Sequence, residues 1–207
     1  MLFKMFKLTS YTLYIIFVVA ACNSNAPIKN KTTENIEITK KNDSLLIYTA
    51  NKIVAHLYKL EIDSLNNFTF NDNQILFAPY QYLDTSIAKS FTPNLLSMVN
   101  KSEKKVHWAN YDGTGEPMDL DVKSYFLKYI NDKDYLKADT IRANESVKIG
   151  NAVNNINTIF SGAQYVEYFY KGTDKNDGIN WKSLKIVFNK LNDKFILVAI
   201  VHNQWTV

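Results

Sequence analysis

"INWKSLKIVFNKLNDKFILVAIVHNQW", residues 179–205, decides the fold. Leu184, Ile186 and Phe188 alternate, less than cleanly, with Lys182, Lys185 and Asn189, the period-2 signature of a strand. Asn192, Asp193 and Lys194 supply turn chemistry. An almost unbroken apolar run then follows from Phe195 to Val201. A strand apolar at consecutive positions is buried on both faces. The stretch therefore predicts a β-hairpin whose second arm lies at the centre of a sheet.

Upstream, "AQYVEYFYKG" (residues 163–172) alternates as another strand. "DKNDG" (174–178) between them has the flavour of a calcium loop, but Lys185 stands where such a loop needs its Glu; a hairpin loop fits better. Nearer the start, Leu46, Ala50, Ile53, Leu57 and Leu60 form one helical stripe, with Asp43 or Ser44 able to cap it. Asp63 can cap a short helical turn. Residues 74–83 read as a strand broken at Pro79, an edge or a bend. Residues 85–91 and 104–111 are strand-like, and Thr92-Pro93 opens a helix between them. "DGTGEP" (112–117) is a turn-rich loop in which Gly113 and Gly115 are free to take positive φ. Asp121 can cap a helix with Val122, Phe126, Tyr129 and Ile130 on its inner face. Short strands are expected around Val147 and Ile156. Helices first and long strands last predict an α+β fold: N-terminal helices packed in a curved antiparallel sheet.

The 207 residues are 46% hydrophobic and 14% aromatic, enough for one domain with a core. Net charge is +4, but Lys4 and Lys7 fall in the leader, so the remainder carries only +2. Arg142 is the sole arginine. That balance argues against a nucleic-acid partner, and bidentate anion recognition would call for Arg. The first seven residues carry two lysines and no acid, and residues 8–21 form an apolar stretch shorter than the roughly 20 residues a spanning helix needs. Length and flanks fit a secretory signal. It ends "VAAC", and Cys22 is the only cysteine. This resembles the lipobox of bacterial lipoproteins. The resemblance implies cleavage after Ala21, lipidation of Cys22, and attachment to the membrane of the bacterial cell envelope by acyl chains. Three segments follow: a signal peptide (1–21), the lipidated Cys and a flexible polar tether (22–41), and one globular α+β domain (42–207).

Tyr111-Asp112-Gly113-Thr114-Gly115-Glu116-Pro117, Trp181 and the ending His202-Asn203-Gln204-Trp205-Thr206 resemble an uncharacterised family of secreted bacterial proteins and lipoproteins. More distantly, the layout is similar to the cone-shaped nuclear-transport-factor-two-like fold. That resemblance implies a scaffold shared by ketosteroid isomerases, polyketide cyclases, dehydratases and non-catalytic modules, so fold alone does not give function.

The chemistry-bearing candidates are Asp112 and Glu116 in the Gly-rich loop and His202 near the end. A carboxylate against an aromatic wall can act as an acid or base near neutrality. Tyr80, Tyr82, Tyr111, Tyr168 and Trp205 are candidates to line a ligand site beside His202. A plainer account has Asp112 making an Asx turn, Glu116 capping or pairing with a lysine, and His202 and Trp205 closing a rim. His56, His107 and His202 are far apart in the chain and lack metal-ligand spacing, and no cofactor motif stands out, so no metal or cofactor is expected. The reading favoured is a non-catalytic envelope lipoprotein that binds a small apolar ligand or an envelope protein partner. An isomerase- or cyclase-type enzyme using Asp112, Glu116 or His202 is the alternative, and an immunity or inhibitor lipoprotein a third.

Overall fold

A computed structural model describes residues 31–150 and 152–206. In chain order these form α1 (Lys31–Tyr58), a 3-10 turn (Ile62–Phe68), β1 (Ile75–Ala78), β2 (Lys89–Phe91) and α2 (Pro93–Ser102). Then come β3 (Val106–Asn110), β4 (Pro117–Leu120) and α3 (Val122–Tyr125), which runs on into a π-helical turn (Phe126–Ile130). A short turn (Tyr135–Lys137), β5 (Thr140–Ala143), α4 (Ile156–Ile159), β6 (Gln164–Tyr170), β7 (Lys182–Leu191) and β8 (Lys194–Gln204) complete the mixed α+β fold.

The hairpin is where the sequence places it. Leu191 faces Lys194 across the turn, and Asn192 takes the left-handed conformation at φ 54°. Asn tolerates that region better than most residues with a Cβ. Strand β8 is central in a six-stranded sheet of order β2-β1-β8-β7-β6-β5, which accounts for its apolar run. The expected all-antiparallel sheet is corrected at one pairing: β1 lies parallel to β8, with Leu76 opposite Ala199. Strand β1 stops before Pro79, as expected of a bend, but it is internal rather than an edge. β3 and β4 form a separate two-stranded ribbon.

Both faces of the large sheet are covered. On the first, Phe77, Val166, Tyr168, Leu184, Ile186, Phe188, Leu197 and Ile200 meet Leu46, Ala50, Ile53 and Leu57 of α1. Val122, Tyr125, Phe126, Tyr129 and Ile130 close the same core, so the predicted inner face of that helix is the buried one. Each fully buried Leu, Ile or Phe contributes about 1.5–3 kcal/mol. The second face carries Leu76, Ala78, Tyr165, Val187, Ala199 and Val201 beneath Ile156, Ile159 and Phe160.

Two caps form as read from sequence: Thr92 Oγ1 accepts from Leu95 N at 3.2 Å, and Asp121 Oδ1 from Ser124 N at 2.9 Å. The start of α1 differs. It begins at Lys31, and Ser44 is mid-helix, its hydroxyl donating to Lys40 O at 2.9 Å. The apolar stripe marks where the helix meets the core, not where it begins. Residues 31–41 of the expected tether are thus helical; residues 22–30 lie outside the described residues, as does the leader. The strands expected near Val147 and Ile156 are absent. Val147 lies in an irregular segment, Ile156 is the buried anchor of α4, and the strand falls earlier, at Thr140–Ala143.

Candidate functional site

His202 and Lys185 sit on opposite faces of the β7–β8 pair, and each is fully buried. His202 belongs to the first face, in one cross-strand row with Leu184 and Tyr168. Its Nδ1 lies 3.1 Å from the carbonyl of Pro79, and its Nε2 lies 3.4 Å from Asp132 Oδ2. Both neighbours are acceptors, so each ring nitrogen faces an oxygen. The same carboxylate oxygen pairs with the Lys182 ammonium, and Tyr135 OH donates to Oδ1 at 2.9 Å. Burial would raise the Asp132 carboxyl, but the hydrogen bonds and charges of His202 and Lys182 outweigh it and hold it at about 2. Burial, reinforced by Asp132, drives the Tyr135 hydroxyl well above its usual range. Tyr129 stands edge-on to His202 at 5.4 Å. This is a closed electrostatic knot. With both ring nitrogens committed, it offers no open position for a substrate proton.

On the second face, Lys185 and Glu167 are direct cross-strand neighbours of β7 and β6, 0% and 2% exposed. Lys185 Nζ lies 2.8 Å from Glu167 Oε1 and donates to Gln81 Oε1 at 2.8 Å. Asn203 Nδ2 donates to the same Gln81 oxygen at 3.0 Å. The remaining bonds reach upward: Gln81 Nε2 donates to Ala152 O at 2.7 Å, and Glu167 Oε2 accepts from Val147 N at 2.6 Å. The ion pair therefore fastens the overlying irregular segment at two points. Burial pushes the Lys185 ammonium down and Glu167 opposes it. Neither residue was singled out from sequence, because a lysine in an alternating strand reads as solvent-facing. The available signal was opposite charges embedded in apolar runs of two neighbouring strands, "YVEYF" and "SLKIVF".

The sequence candidates scatter around these centres. Asp112 and Glu116 are exposed. Asp112 Oδ1 accepts from Gly113 N at 3.1 Å, and the loop closes through Tyr111 N to Glu116 O at 2.8 Å. Gly113 and Gly115 adopt φ of 83° and 70°, the conformation that favours glycine. Tyr80 OH accepts from Asp112 N at 3.1 Å, and Tyr80 stands edge-on to Tyr129 at 6.4 Å. Asp112 and His202 are thus separated by two tyrosine rings. Lys128 Nζ sits 4.4 Å over the Tyr111 ring. Tyr168 is buried beneath α1, donating to Asn51 Oδ1 at 2.7 Å. Tyr82 is 58% and Trp205 42% exposed. Ala21 and Cys22 lie outside the described residues. His56 faces Glu61 at 2.7 Å and His107 faces Asp119 at 3.0 Å. Among the described residues, no group of three His, Cys, Asp or Glu could hold a metal ion.

The openings at the surface are built differently. A cleft of about 500 Å³ at the far end of the β7–β8 hairpin is lined by Phe70, Leu191, Ile196 and Val198 among others. An adjoining one of about 300 Å³ shares Phe70 and Ile196 and adds Leu45, Phe68 and Phe195. Among the described residues, no helix is long and apolar enough to cross a membrane. Compared with known proteins, the chain matches no protein-family model, no curated protein and no solved structure.

Proposed function

We propose that the protein is a membrane-anchored envelope lipoprotein whose domain binds, without catalysis, a small apolar ligand or an envelope protein partner. One observation carries the binding reading. The buried groups able to move protons, His202, Asp132 and Lys185, are committed to partners, while the cleft at Phe70 opens to solvent and sets Phe70, Leu191, Ile196 and Val198 beside polar Asn73, Ser161 and Asn189. Pockets for small molecules are mostly apolar concavities of about this size. Asp112 and Glu116, the carboxylates an isomerase-type mechanism would recruit, face outward on a turn. The anchor rests on the sequence alone: a basic start, a short apolar stretch and a solitary Cys22 behind two alanines. The same reading takes the chain as a relative of the secreted lipoprotein family with the "YDGTGEP" and "HNQWT" marks. It also takes the fold as the nuclear-transport-factor-two-like cone. Support for the cone is that α1 and α3 pack against one face of the sheet.

Anchoring and binding are tested separately. Membrane fractionation and intact mass should show wild type cleaved after Ala21 and acylated on Cys22, and Cys22→Ser soluble and unacylated. Retention of the leader, or acyl chains on the variant, refutes the anchor. For binding, the probe is 8-anilinonaphthalene-1-sulfonate, with Phe70→Asp expected to weaken it about tenfold at unchanged circular dichroism; equal binding by the variant refutes the cleft.

A further inference from the structure

On the second face of the sheet, two adjoining cavities flank the segment pinned by the Lys185–Glu167 centre. One, of about 330 Å³, is lined by Trp181, Trp205, Gln204, Thr206, Gly150 and Ala152. The other, of about 480 Å³, shares Gly150 and Ala152 and continues past Gln81, Ser146, Asn154 and Tyr165. We infer that together they form a binding cleft for a neutral oligosaccharide, with Trp205 as the stacking platform.

Four features point to that ligand class. First, the aromatic end is a rigid wall bearing an exposed ring. Trp181 is buried and stacked on Phe169 at 6.3 Å, whereas Trp205, just beyond central strand β8, is 42% exposed. A large exposed indole at a cavity mouth is a ready platform for a flat apolar surface. Gly150, at φ 68°, passes close over Trp181; a Cβ there would sit 3.5 Å from its ring. Second, the other end is a row of neutral hydroxyls and amides. Ser146 Oγ and Tyr165 OH are 2.9 Å apart, and Asn154 Nδ2 donates to Ser146 Oγ at 3.2 Å. Such groups can both donate and accept, as sugar hydroxyls require. Third, among the described residues Lys148 is the only charged side chain lining either cavity. A phosphate-bearing ligand calls for more cationic donors than that, and a wholly apolar ligand would strip water from the polar row without replacing it. A pyranose satisfies both ends, with C–H bonds on its faces and hydroxyls around its rim. Fourth, the walls are held before any ligand arrives. Glu167 holds Val147 and Gln81 holds Ala152, which lowers the ordering cost of binding.

This cleft lies outside the binding reading given for Phe70, and the two share no lining residue. The test is isothermal calorimetry on the full-length chain with triacetylchitotriose, cellotriose and maltotriose, alongside adenosine. At least one trisaccharide should bind saturably. Trp205→Ala should weaken it about tenfold and Asn154→Ala several-fold, and Phe70→Asp should leave it unchanged. Both Trp205 and Asn154 are exposed, so their variants should keep the wild-type circular dichroism. Absence of binding by all three trisaccharides overturns the proposal. So does undiminished affinity in Trp205→Ala, or binding of adenosine alone. Undiminished anilinonaphthalene binding by Phe70→Asp, with trisaccharide binding intact, would refute the Phe70 reading and leave this one standing.

Discussion

Replacing Lys185 by Met should destabilise the fold far more than its loss of hydrogen bonds suggests. The ammonium is 0% exposed and holds Glu167 and Gln81, each at 2.8 Å. Met has similar length, so little cavity is created. What remains is the Glu167 carboxylate, 2% exposed, without its cation and with the Val147 amide still bonded. Removing one member of a buried pair costs about 3–5 kcal/mol. At about 2–4 °C per kcal/mol for a domain of this size, Tm should fall by about 6–20 °C. Adding Glu167→Gln removes the stranded charge and keeps an acceptor for Val147. The double variant should therefore recover at least about 2 kcal/mol of the loss. Urea unfolding of wild type, both single variants and the double variant, followed by tryptophan emission, closes the cycle. A loss under about 1 kcal/mol for Lys185→Met, or a double variant no more stable than Lys185→Met, would refute the argument that the pair is a mutually dependent buried unit.

The knot at His202 should show in acid. The Asp132 carboxyl is depressed from 3.8 to about 2, so its contribution is fully present above pH 3.8 and is lost as pH falls towards 2. That contribution is about 2 kcal/mol. Asp132→Asn should flatten the fall in urea stability between pH 4 and pH 2, and parallel curves for variant and wild type would count against the assignment. At the start of α2, Thr92→Ala removes the acceptor for Leu95 N and should cost about 1 kcal/mol at neutral pH, read as a lower urea midpoint at unchanged slope; an unshifted midpoint would show that the cap contributes nothing.

Local chemistry was legible in the sequence, and long-range pairing was not. The hairpin, the Thr92 and Asp121 caps and the glycine loop each depend on residues within a few positions of one another. The inner face of the Asp121-capped helix could be read from spacing alone, as could β8 as a central strand. The parallel pairing of β1 with β8 carries no local mark, because it is set by how the intervening chain crosses the sheet. His202 was noticed for its type, but its partner Asp132 comes from a turn far upstream, and no spacing rule connects them. Lys185 is hard to place from sequence for a physical reason: burying an ammonium is costly, so a strand lysine is normally outside. Here Glu167, Gln81 and the covering segment offset that cost, and all three are invisible from β7 itself.

The parallel contact has a consequence for how the chain is made. Leu76 and its partner Ala199 are 123 residues apart. While β1 emerges during synthesis, the strand that should shelter it does not yet exist. The apolar stretch Ile75–Ala78 must therefore wait, with only short β2 for company. Contacts this distant in sequence form slowly. The sheet cannot be assembled from the front, so nascent chains remain open until β8 arrives. That delay makes the interval before β8 the time when a holdase matters most.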